Sequence, residues 1–328
     1  MRAAQVVRTT GPSGVEVQDV PEPQPGPGEV LVRVRSVGLS FPDLLLSKGL
    51  YQLRPDPPFT IGVDLAGDVL VAPDGSGLTA GDRVAAVVPH GAAAELAAVP
   101  AGSVLPMPDA MSYDVAAALP MNYLTAQFAL AERAGLRAGE TVLVHGAAGG
   151  VGTATIQVAK AMGARTIAVV STDEKAAVAR GAGADETVLL DGFKDAVAGL
   201  ADGRGVDVVV DVVGGDVFTD SLRVLAPLGR LLVVGFAAGQ GIPEVRVNRL
   251  LLHNIDVRGV GWGAYALNRR GYLRQQWDAV LPWWDSGVVD PPIGATYPHE
   301  RAAEALEVLD GRRAMGKVVL AVGPGTDA

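Results

Sequence analysis

A strand, a glycine-rich turn and a helix follow one another without interruption near the middle of this chain. Residues 141–144 have the pattern of a buried strand, glycines follow at once, and residues 153–162 continue at helical spacing. Such a turn brings backbone N–H groups close to a pyrophosphate, and the helix N-terminus adds a positive partial charge. An ordinary strand-to-helix turn is the alternative, but the flanking elements favour a dinucleotide-binding loop. The predicted contacts are Gly149, Gly150, Val151 and Gly152.

The composition narrows the possible partners and the location. The 328 residues carry a formal net charge of −9 and contain no dense block of Lys or Arg, which disfavours nucleic acid and anionic membranes as partners. The chain has no cysteine, so disulfides, thiolate nucleophiles and cysteine metal sites are excluded. No stretch approaches about eighteen uninterrupted apolar residues, and the first residues do not resemble a signal peptide. We therefore expect a cytoplasmic protein.

The rhythm of the chain predicts an α/β fold with more than one domain. Residues 1–121 are rich in turns between short β-type runs, which indicates a mostly β domain. In residues 122–264 strand-like runs alternate with helical stretches, which indicates a doubly wound parallel sheet of the Rossmann type. Residues 265–328 hold a long helix from about 267 to 286, a second helix and a last strand at 317–321. We expect this strand to return to the first domain and the tail from 323 to fray.

The end of the second predicted strand of the parallel sheet bears on the choice of nicotinamide cofactor. Sites that prefer NAD usually carry Asp or Glu there, which accepts a hydrogen bond from the 2′-hydroxyl of the adenosine ribose. Here Val170 stands at that position, and Ser171 and Lys175 can instead contact a 2′-phosphate. The alternative is local, with Ser171 and Glu174 forming a capping box and Lys175 solvated. The pattern favours NADPH over NADH.

Several short motifs lie in order along nearly the whole chain. They are Gly38-Leu-Ser40-Phe-Pro-Asp43, Gly49-Leu-Tyr51, Gly62-Val-Asp64-Leu-Ala-Gly67-Asp-Val69, Gly81-Asp-Arg-Val84, Leu124-Thr125-Ala126, the Gly146–Gly152 turn and Gly311-Arg-Arg-Ala-Met-Gly316-Lys-Val-Val319. In this order and spacing the chain resembles the zinc-independent NADPH:quinone oxidoreductases, the zeta-crystallin-like branch of the medium-chain dehydrogenase/reductases.

The resemblance carries implications for fold, cofactor and assembly. It implies a GroES-like catalytic domain formed by both ends of the chain, a central nucleotide-binding domain, and a cleft between them. It implies NADPH as the cofactor. It also implies a homodimer joined through the edge strand near 254–260.

The zinc-dependent branch of the same family would need residues that this chain lacks. That branch would require a Cys near position 40, a Gly-His-Glu around 62–64 and a cluster of structural cysteines near 90–110. This chain has Ser40 and Gly62-Val63-Asp64, and its histidines are far apart in the sequence. We therefore expect no bound metal.

Without a metal, hydride transfer requires an acceptor that is already activated by conjugation. Quinones and α,β-unsaturated carbonyls fit, because the charge spreads onto a carbonyl oxygen that then needs a hydrogen-bond donor. The candidate catalytic residues are Ser40 and Tyr51, since both match positions that line the cleft of related reductases. Tyr51 either donates a proton or packs as an aromatic wall. The family often has Asn at the position of Ser40 and a second aromatic residue at that of Leu45.

The remaining cofactor contacts come from resemblance and from topology. Thr125 resembles the residue that bonds near the nicotinamide, and helix capping or packing is the alternative. Arg312 resembles the C-terminal arginine that reaches the pyrophosphate, although Arg313 could take that role or both could be surface charges. Other contacts are expected where parallel strands end. They are Val213, Gly235 and Phe236.

These observations predict an NADPH-dependent quinone reductase. An enoyl-thioester or 2-alkenal reductase, which reduces a carbon–carbon double bond, is the alternative within the same fold. A third possibility is a protein that binds NADPH and has lost turnover, because the fold alone does not decide the activity.

Overall fold

The structure is a computed structural model, and it describes residues 1–323. The tail predicted to fray lies outside these residues, apart from Gly323. The chain divides into two compact units. Unit 1 comprises residues 1–122, 269–277 and those from 291 onward, and unit 2 comprises residues 123–268 and 278–290. The domain boundaries placed from the sequence at 121/122 and 264/265 stay a prediction.

Unit 1 is mostly β, as its turn-rich sequence predicts. Its strands are β1 (Arg2–Val6), β2 (Val15–Asp19), β3 (Glu29–Leu39), β4 (Phe59–Thr60), β5 (Asp64–Val71), β6 (Arg83–Val87), β7 (Leu96–Pro100), β8 (Val104–Pro106), β15 (Ile293–Pro298) and β16 (Lys317–Ala321). Its helices are α1 (Phe41–Ser47), α2 (Tyr113–Ala118) and α11 (Ala302–Asp310).

The larger sheet of unit 1 is organised around β3. The strand order is β15-β16-β3-β5-β6-β8, β7 also pairs with β3, and a smaller sheet has the order β2-β1-β4. β3 runs antiparallel to both β16 and β5, so that Val319 and Asp64 lie on either side of Gly38. The last strand, β16, therefore lies in the same sheet as β3 and β5. The last four residues of β3 are all buried, so this end of the strand is covered on both faces.

Unit 2 contains a parallel sheet and the helices that connect its strands. The strands are β9 (Thr141–His145), β10 (Arg165–Val170), β11 (Glu186–Leu189), β12 (Val206–Asp211), β13 (Leu225–Val233) and β14 (Asp256–Gly259). The helices are α3 (Thr125–Gln127), α4 (Gly150–Ala161), α5 (Asp173–Gly181), α6 (Phe193–Leu200), α7 (Asp216–Ser221), α8 (Asn248–His253) and α9 (Trp262–Ala266). Two π-helical segments, Pro120–Leu124 and Phe128–Ala134, flank α3.

The order of the parallel sheet confirms the predicted doubly wound architecture. The strands lie in the order β11-β10-β9-β12-β13-β14, and every neighbouring pair is parallel. This is the strand order of dinucleotide-binding sheets, in which connections from the first strand go to opposite sides. The central strands are rich in valine because helices cover both faces of the sheet.

One helix begins later than the sequence predicts. The long helix α10 is Tyr272–Asp285, not 267–286, because Gly271 adopts a left-handed φ of +78° that interrupts the helical path. α10 is divided between the two units at residues 277 and 278. Within the described residues, none of the helices has the length and apolar character that crossing a membrane requires.

Candidate active site

The glycine turn of unit 2 joins β9 to α4. The strand ends at His145, and the helix begins at Gly150 with Gly149 as its N-cap. Gly146 has a φ of +60°, which favours glycine. A Cβ atom on Gly152 would lie 2.2 Å from the carbonyl oxygen of Gly146, so no larger residue fits there. The turn is wound tightly against the start of α4, and its backbone fits the close approach of a phosphate.

The turn lies where the order of the sheet reverses. β9 is flanked by β10 and β12, and ligands of such sheets bind outside the carboxyl ends of the strands at this point. The segment after β12 lies against the turn, because a Cβ atom on Gly146 would be 2.7 Å from Cγ2 of Val212. Val213 continues that segment, and Gly235 and Phe236 follow the neighbouring strand β13. The structure therefore brings these predicted positions to one edge of the sheet.

Asp211, the last residue of β12, holds the segment that follows it. Its Oδ1 accepts hydrogen bonds from the backbone N–H groups of Val213 (2.8 Å) and Gly214 (2.9 Å). Its Oδ2 is buried and has no hydrogen-bond partner within residues 1–323, and burial raises the pKa of this carboxyl. Buried acceptors are normally satisfied. The unpaired Asp211 Oδ2 at this edge of the sheet could therefore accept a hydrogen bond from a bound ligand.

Ser171 and Lys175 contact each other after β10. The Lys175 ammonium donates to Ser171 Oγ over 3.2 Å. The N-cap of α5 is Thr172, whose hydroxyl oxygen accepts from the backbone N–H of Lys175 at 3.3 Å. The alternative capping box of Ser171 and Glu174 is therefore wrong, because the cap lies one residue further along. The Ser171 hydroxyl and the Lys175 ammonium lie side by side, as two groups that can donate to a phosphate.

Thr125 and Arg312 lie in different units. Thr125 is buried at the start of α3 in unit 2. Arg312 belongs to unit 1 and follows α11 with a left-handed φ of +54°. The cofactor contacts inferred for both residues stay predictions.

A buried polar group of residues lies in unit 1, at one end of three adjacent strands. Ser40 directly follows β3, Asp64 begins β5 and Lys317 begins β16. Because β3 is antiparallel to both neighbours, its end lies beside their beginnings. Lys317 Nζ donates to Ser40 Oγ and to Asp64 Oδ2, each over 2.7 Å. We refer to Ser40, Asp64 and Lys317 as the lysine cluster.

The charges of the lysine cluster are almost fully removed from water. The exposed fractions of Asp64, Lys317 and Ser40 are 0 %, 3 % and 5 %. Burial raises the pKa of the Asp64 carboxyl, and the Lys317 ammonium and hydrogen bonds from Lys317, Met121 and Ser40 oppose this rise. The backbone N–H of Met121 donates to Asp64 Oδ1 at 2.9 Å, so both carboxylate oxygens have donors. A buried ion pair requires such hydrogen bonds to each charged atom, because they compensate for the loss of water.

Gly38 makes room for the aliphatic stem of Lys317. A Cβ atom on Gly38 would lie 2.5 Å from Cε of Lys317 and 2.0 Å from the carbonyl oxygen of Ala117. Glycine at this position of β3 therefore lets the lysine side chain lie against the strand backbone and reach Ser40.

Asp43 ties Ser40 to the loop before β5. Its Oδ2 accepts from the backbone N–H of Ser40 at 2.8 Å, and its Oδ1 accepts from that of Gly62 at 2.9 Å. Asp43 is fully buried, and this burial raises its pKa to about 7 despite the two hydrogen bonds and the nearby Lys317 ammonium. The backbone of Ser40 is thus held by a carboxyl group that changes its charge near neutral pH.

Asp43→Asn is expected to lower the free energy of unfolding, and the loss should shrink as pH rises. The amide has one acceptor oxygen, so one of the two backbone N–H groups loses its partner, at a cost of about 1–3 kcal/mol. The folded-state pKa of Asp43 lies above its ordinary 3.8, so the folded wild type gains a proton between about pH 7 and pH 4 that the unfolded chain does not. The wild type therefore loses stability as pH rises through this window, and the variant does not.

Urea denaturation of the wild type and of Asp43→Asn at pH 5 and pH 8 tests this prediction. The difference in unfolding free energy should be larger at pH 5. A difference that stays constant would contradict the titration of Asp43 in this range.

Tyr51 is half-buried and packs against the hydrophobic core of unit 1. Burial raises the pKa of its hydroxyl, and the Asp43 carboxylate adds to the effect. A phenol with a raised pKa stays protonated at neutral pH and can donate a hydrogen bond. Packing and donation, the two roles considered for Tyr51, are therefore compatible.

Sequence reasoning identified Ser40 and missed its partners. Lys317 begins a strand that is otherwise apolar, and Asp64 begins a strand whose first four residues are buried. A charge at such a position is the signal that could have found them. The Lys317–Ser40 contact spans 277 residues, so no local spacing connects them. Within residues 1–323, no group of three or more His, Asp or Glu side chains is arranged to hold a metal ion.

Two family descriptions match most of the chain between them. Residues 26–109 match the alcohol dehydrogenase GroES-like domain, and residues 150–286 match the zinc-binding dehydrogenases. The quinone oxidoreductase-like protein 2 of Mus musculus is 39 % identical over 310 residues, which cover 93 % of this chain and 88 % of that protein. The chain belongs to the medium-chain dehydrogenase/reductase family.

Solved structures of this oxidoreductase family match the whole fold. A probable oxidoreductase from Mycobacterium abscessus is 42 % identical with a TM-score of 0.90, and the match covers 98 % of this chain and 99 % of that one. The quinone oxidoreductase of Thermus thermophilus, also solved as its complex with NADPH, is 37 % identical with a TM-score of 0.84. That match covers 98 % of this chain and 100 % of the other. The resemblance to quinone oxidoreductases and the predicted fold are confirmed, and the protein is an oxidoreductase of this family.

Proposed function

We propose that the protein is an NADPH-dependent reductase that transfers hydride to a quinone or another conjugated carbonyl without a metal. The lysine cluster carries this proposal. The zinc-dependent branch would place ligands at position 40 and around 62–64, and here Ser40 and Asp64 hold an ammonium group instead. An ammonium cannot act as a Lewis acid with an open coordination position, so the acceptor must be activated by its own conjugation.

The residues of the chain have separable tasks in this reaction. When bound, NADPH supplies the hydride. The turn at 149–152 and the N-terminus of α4 bind its pyrophosphate. Ser40 donates a hydrogen bond to the acceptor oxygen, where negative charge develops. Tyr51 provides either a second donor or an apolar wall, and the cleft inferred from the family stays a prediction.

The preference for NADPH follows from the segment after β10. No acidic residue ends this strand, and the Ser171 hydroxyl and the Lys175 ammonium lie together just after Val170. A hydroxyl and an ammonium are suited to a 2′-phosphate, and a 2′-hydroxyl would lack its usual carboxylate partner.

Steady-state turnover tests the function. We expect oxidation of NADPH with 9,10-phenanthrenequinone or 1,4-benzoquinone, with kcat/KM for NADPH above that for NADH. Activity confined to crotonyl-CoA would replace quinone reduction by the enoyl-thioester alternative. Tight binding of NADPH without oxidation by quinones, enals and enoyl thioesters would leave a protein that binds the cofactor only. The cytoplasmic location stays a prediction.

Tyr51→Phe is expected to lower kcat for quinone reduction about 10-fold, because a donor to the acceptor oxygen is lost. The affinity for NADPH, measured by its fluorescence, should not change. Tyr113→Phe is a suitable control, because it removes another phenol of unit 1, one that donates to Asp68. The control should keep its kcat, and an unaltered rate in Tyr51→Phe would leave Tyr51 a packing residue.

We also propose the homodimer that the resemblance implies. β14 is the terminal strand of the parallel sheet, so one of its edges is unpaired within the described chain. The preceding helix α8 exposes Leu251 and Leu252 by 77 % and 70 %. Exposed apolar side chains on the helix that leads into an edge strand fit such an interface.

The variant Leu251→Glu/Leu252→Glu is expected to be a monomer in sedimentation velocity experiments, whereas the wild type is expected to be a dimer. The reason is that burying two carboxylates in an apolar interface is unfavourable. Val71→Glu, at an exposed valine of unit 1, is the control, and this variant should sediment as a dimer like the wild type. A monomeric wild type would contradict the proposal.

A further inference from the structure

The hydrogen-bonding roles in the lysine cluster are fixed by chemistry. An ammonium group donates only, so Ser40 Oγ accepts from Lys317 over the 2.7 Å contact. The Ser40 hydrogen therefore points away from Lys317. Within the cluster the Asp64 carboxylate, whose pKa the Ser40 hydroxyl lowers, is an alternative acceptor, so the hydroxyl must turn away from it to donate to the oxygen of an acceptor molecule.

Contact with the ammonium also strengthens Ser40 as a donor. A hydroxyl that accepts from a cation is polarised, and in a site of low dielectric its own hydrogen bond becomes stronger. Ser40 is the most exposed member of the cluster, although only 5 % of its surface is accessible. Ser40 is thus the residue of the cluster with the largest fraction of its surface open to an external oxygen.

A structural role alone does not account for the cluster. Buried ion pairs contribute little net stability compared with apolar residues of similar size. Here Asp64 and Lys317 are buried at the end of a sheet, and Gly38 is required so that the lysine fits. The arrangement places an ammonium group in direct contact with one hydroxyl group.

We propose that Lys317 is a positioning residue of the reductase, whose ammonium, held by Asp64, orients and polarises the Ser40 hydroxyl toward the acceptor oxygen. The inference rests on the proposed function and adds a residue to it. The Lys317 ammonium thus supplies, beside Ser40, the positive charge that a metal ion supplies in the zinc-dependent branch.

The test must separate positioning from stability. Lys317→Met alone leaves Asp64 buried without its counter-ion and is expected to unfold unit 1. The double variant Lys317→Met/Asp64→Asn removes both charges together, and it is expected to fold and to bind NADPH as the wild type does. Its kcat for quinone reduction should fall about 10- to 100-fold, the factor expected from the loss of a hydrogen bond to a charged group.

Comparison with Ser40→Ala makes the result specific. If Lys317 acts through Ser40, the double variant and Ser40→Ala should not be additive, so the triple variant should be no slower than Ser40→Ala. A double variant with the kcat of the wild type would overturn the proposal and leave Lys317 a counter-ion. Additive losses in the triple variant would overturn it as well.

Binding of 4-nitrophenolate provides a readout that needs no turnover. Its oxygen carries the negative charge expected of the reduced acceptor, and its absorbance reports binding. We expect wild type saturated with NADP⁺ to bind it about 10-fold more tightly than the double variant does. Equal affinities, or no binding to the wild type, would overturn the proposal. A wild type that binds 4-nitrophenolate but reduces no acceptor would instead contradict the proposed function alone.

Discussion

Gly152→Ala is expected to weaken NADPH binding about 100-fold or more. The added Cβ would lie 2.2 Å from the carbonyl oxygen of Gly146 and 2.7 Å from Cα of Ala147, and these backbone atoms can move only if the turn opens. An opened turn no longer directs its N–H groups at the pyrophosphate, and each hydrogen bond to a charged group contributes about 1.5–3 kcal/mol. Fluorescence titration with NADPH measures the loss.

A matched control distinguishes the turn from a general effect of alanine. Gly199 lies exposed within α6, and a Cβ atom there would meet nothing within 4 Å. Gly199→Ala should bind NADPH normally and gain about 0.5–1 kcal/mol of stability, because alanine favours the helix. Normal NADPH affinity in Gly152→Ala would refute the assignment of this turn to the cofactor.

The second large effect is expected at Ser40. Ser40→Ala should lower kcat for quinone reduction about 100- to 1000-fold, because it removes a donor to the oxygen on which charge develops. The affinity for NADPH should stay within about 2-fold of the wild type, since Ser40 is not a predicted cofactor contact. Stopped-flow measurement of NADPH oxidation in a single turnover reports the chemical step directly.

Ser47→Ala is the control for the loss of a buried hydroxyl. Ser47 ends α1, the helix that follows Ser40; it is fully buried and donates to the carbonyl oxygen of Leu44 at 2.8 Å. This variant should keep the wild-type kcat. A wild-type rate in Ser40→Ala would remove Ser40 from the catalytic residues and would also remove the basis for the role of Lys317.

The parts of the molecule set by local spacing were predictable from the sequence. The strand, the glycine turn and the helix at 141–161 are consecutive, so the pattern alone identifies them. The apolar run at 317–321 likewise identifies the last strand, β16. The start of α10 was missed because the left-handed backbone of Gly271 is not visible in the periodicity of the neighbouring residues.

The chemistry of the candidate site depends on contacts between residues that are far apart in the sequence. Ser40 was found through a family motif, whereas Lys317 lies in a different motif 277 residues further along the chain. Only the antiparallel register of β3 with β16 and β5 brings both to the same sheet end. The start of α5 gives a second example. The sequence allows Ser171 to cap this helix, but the N-cap is Thr172, so the Ser171 hydroxyl is not used for capping.

The position of β16 in the sheet has a consequence for biosynthesis. Ser40 and Asp64 leave the ribosome before any part of unit 2, whereas Lys317 emerges after all of it. While unit 2 is being made, β3 lacks its neighbour β16, and Asp64 lacks its counter-ion. Unit 2 can therefore fold during translation, but the sheet of unit 1 is completed only after β16, with Lys317, has been synthesised. We expect nascent chains that stop before β16 to expose the end of β3 and to depend on chaperones, because an unpaired strand edge promotes aggregation.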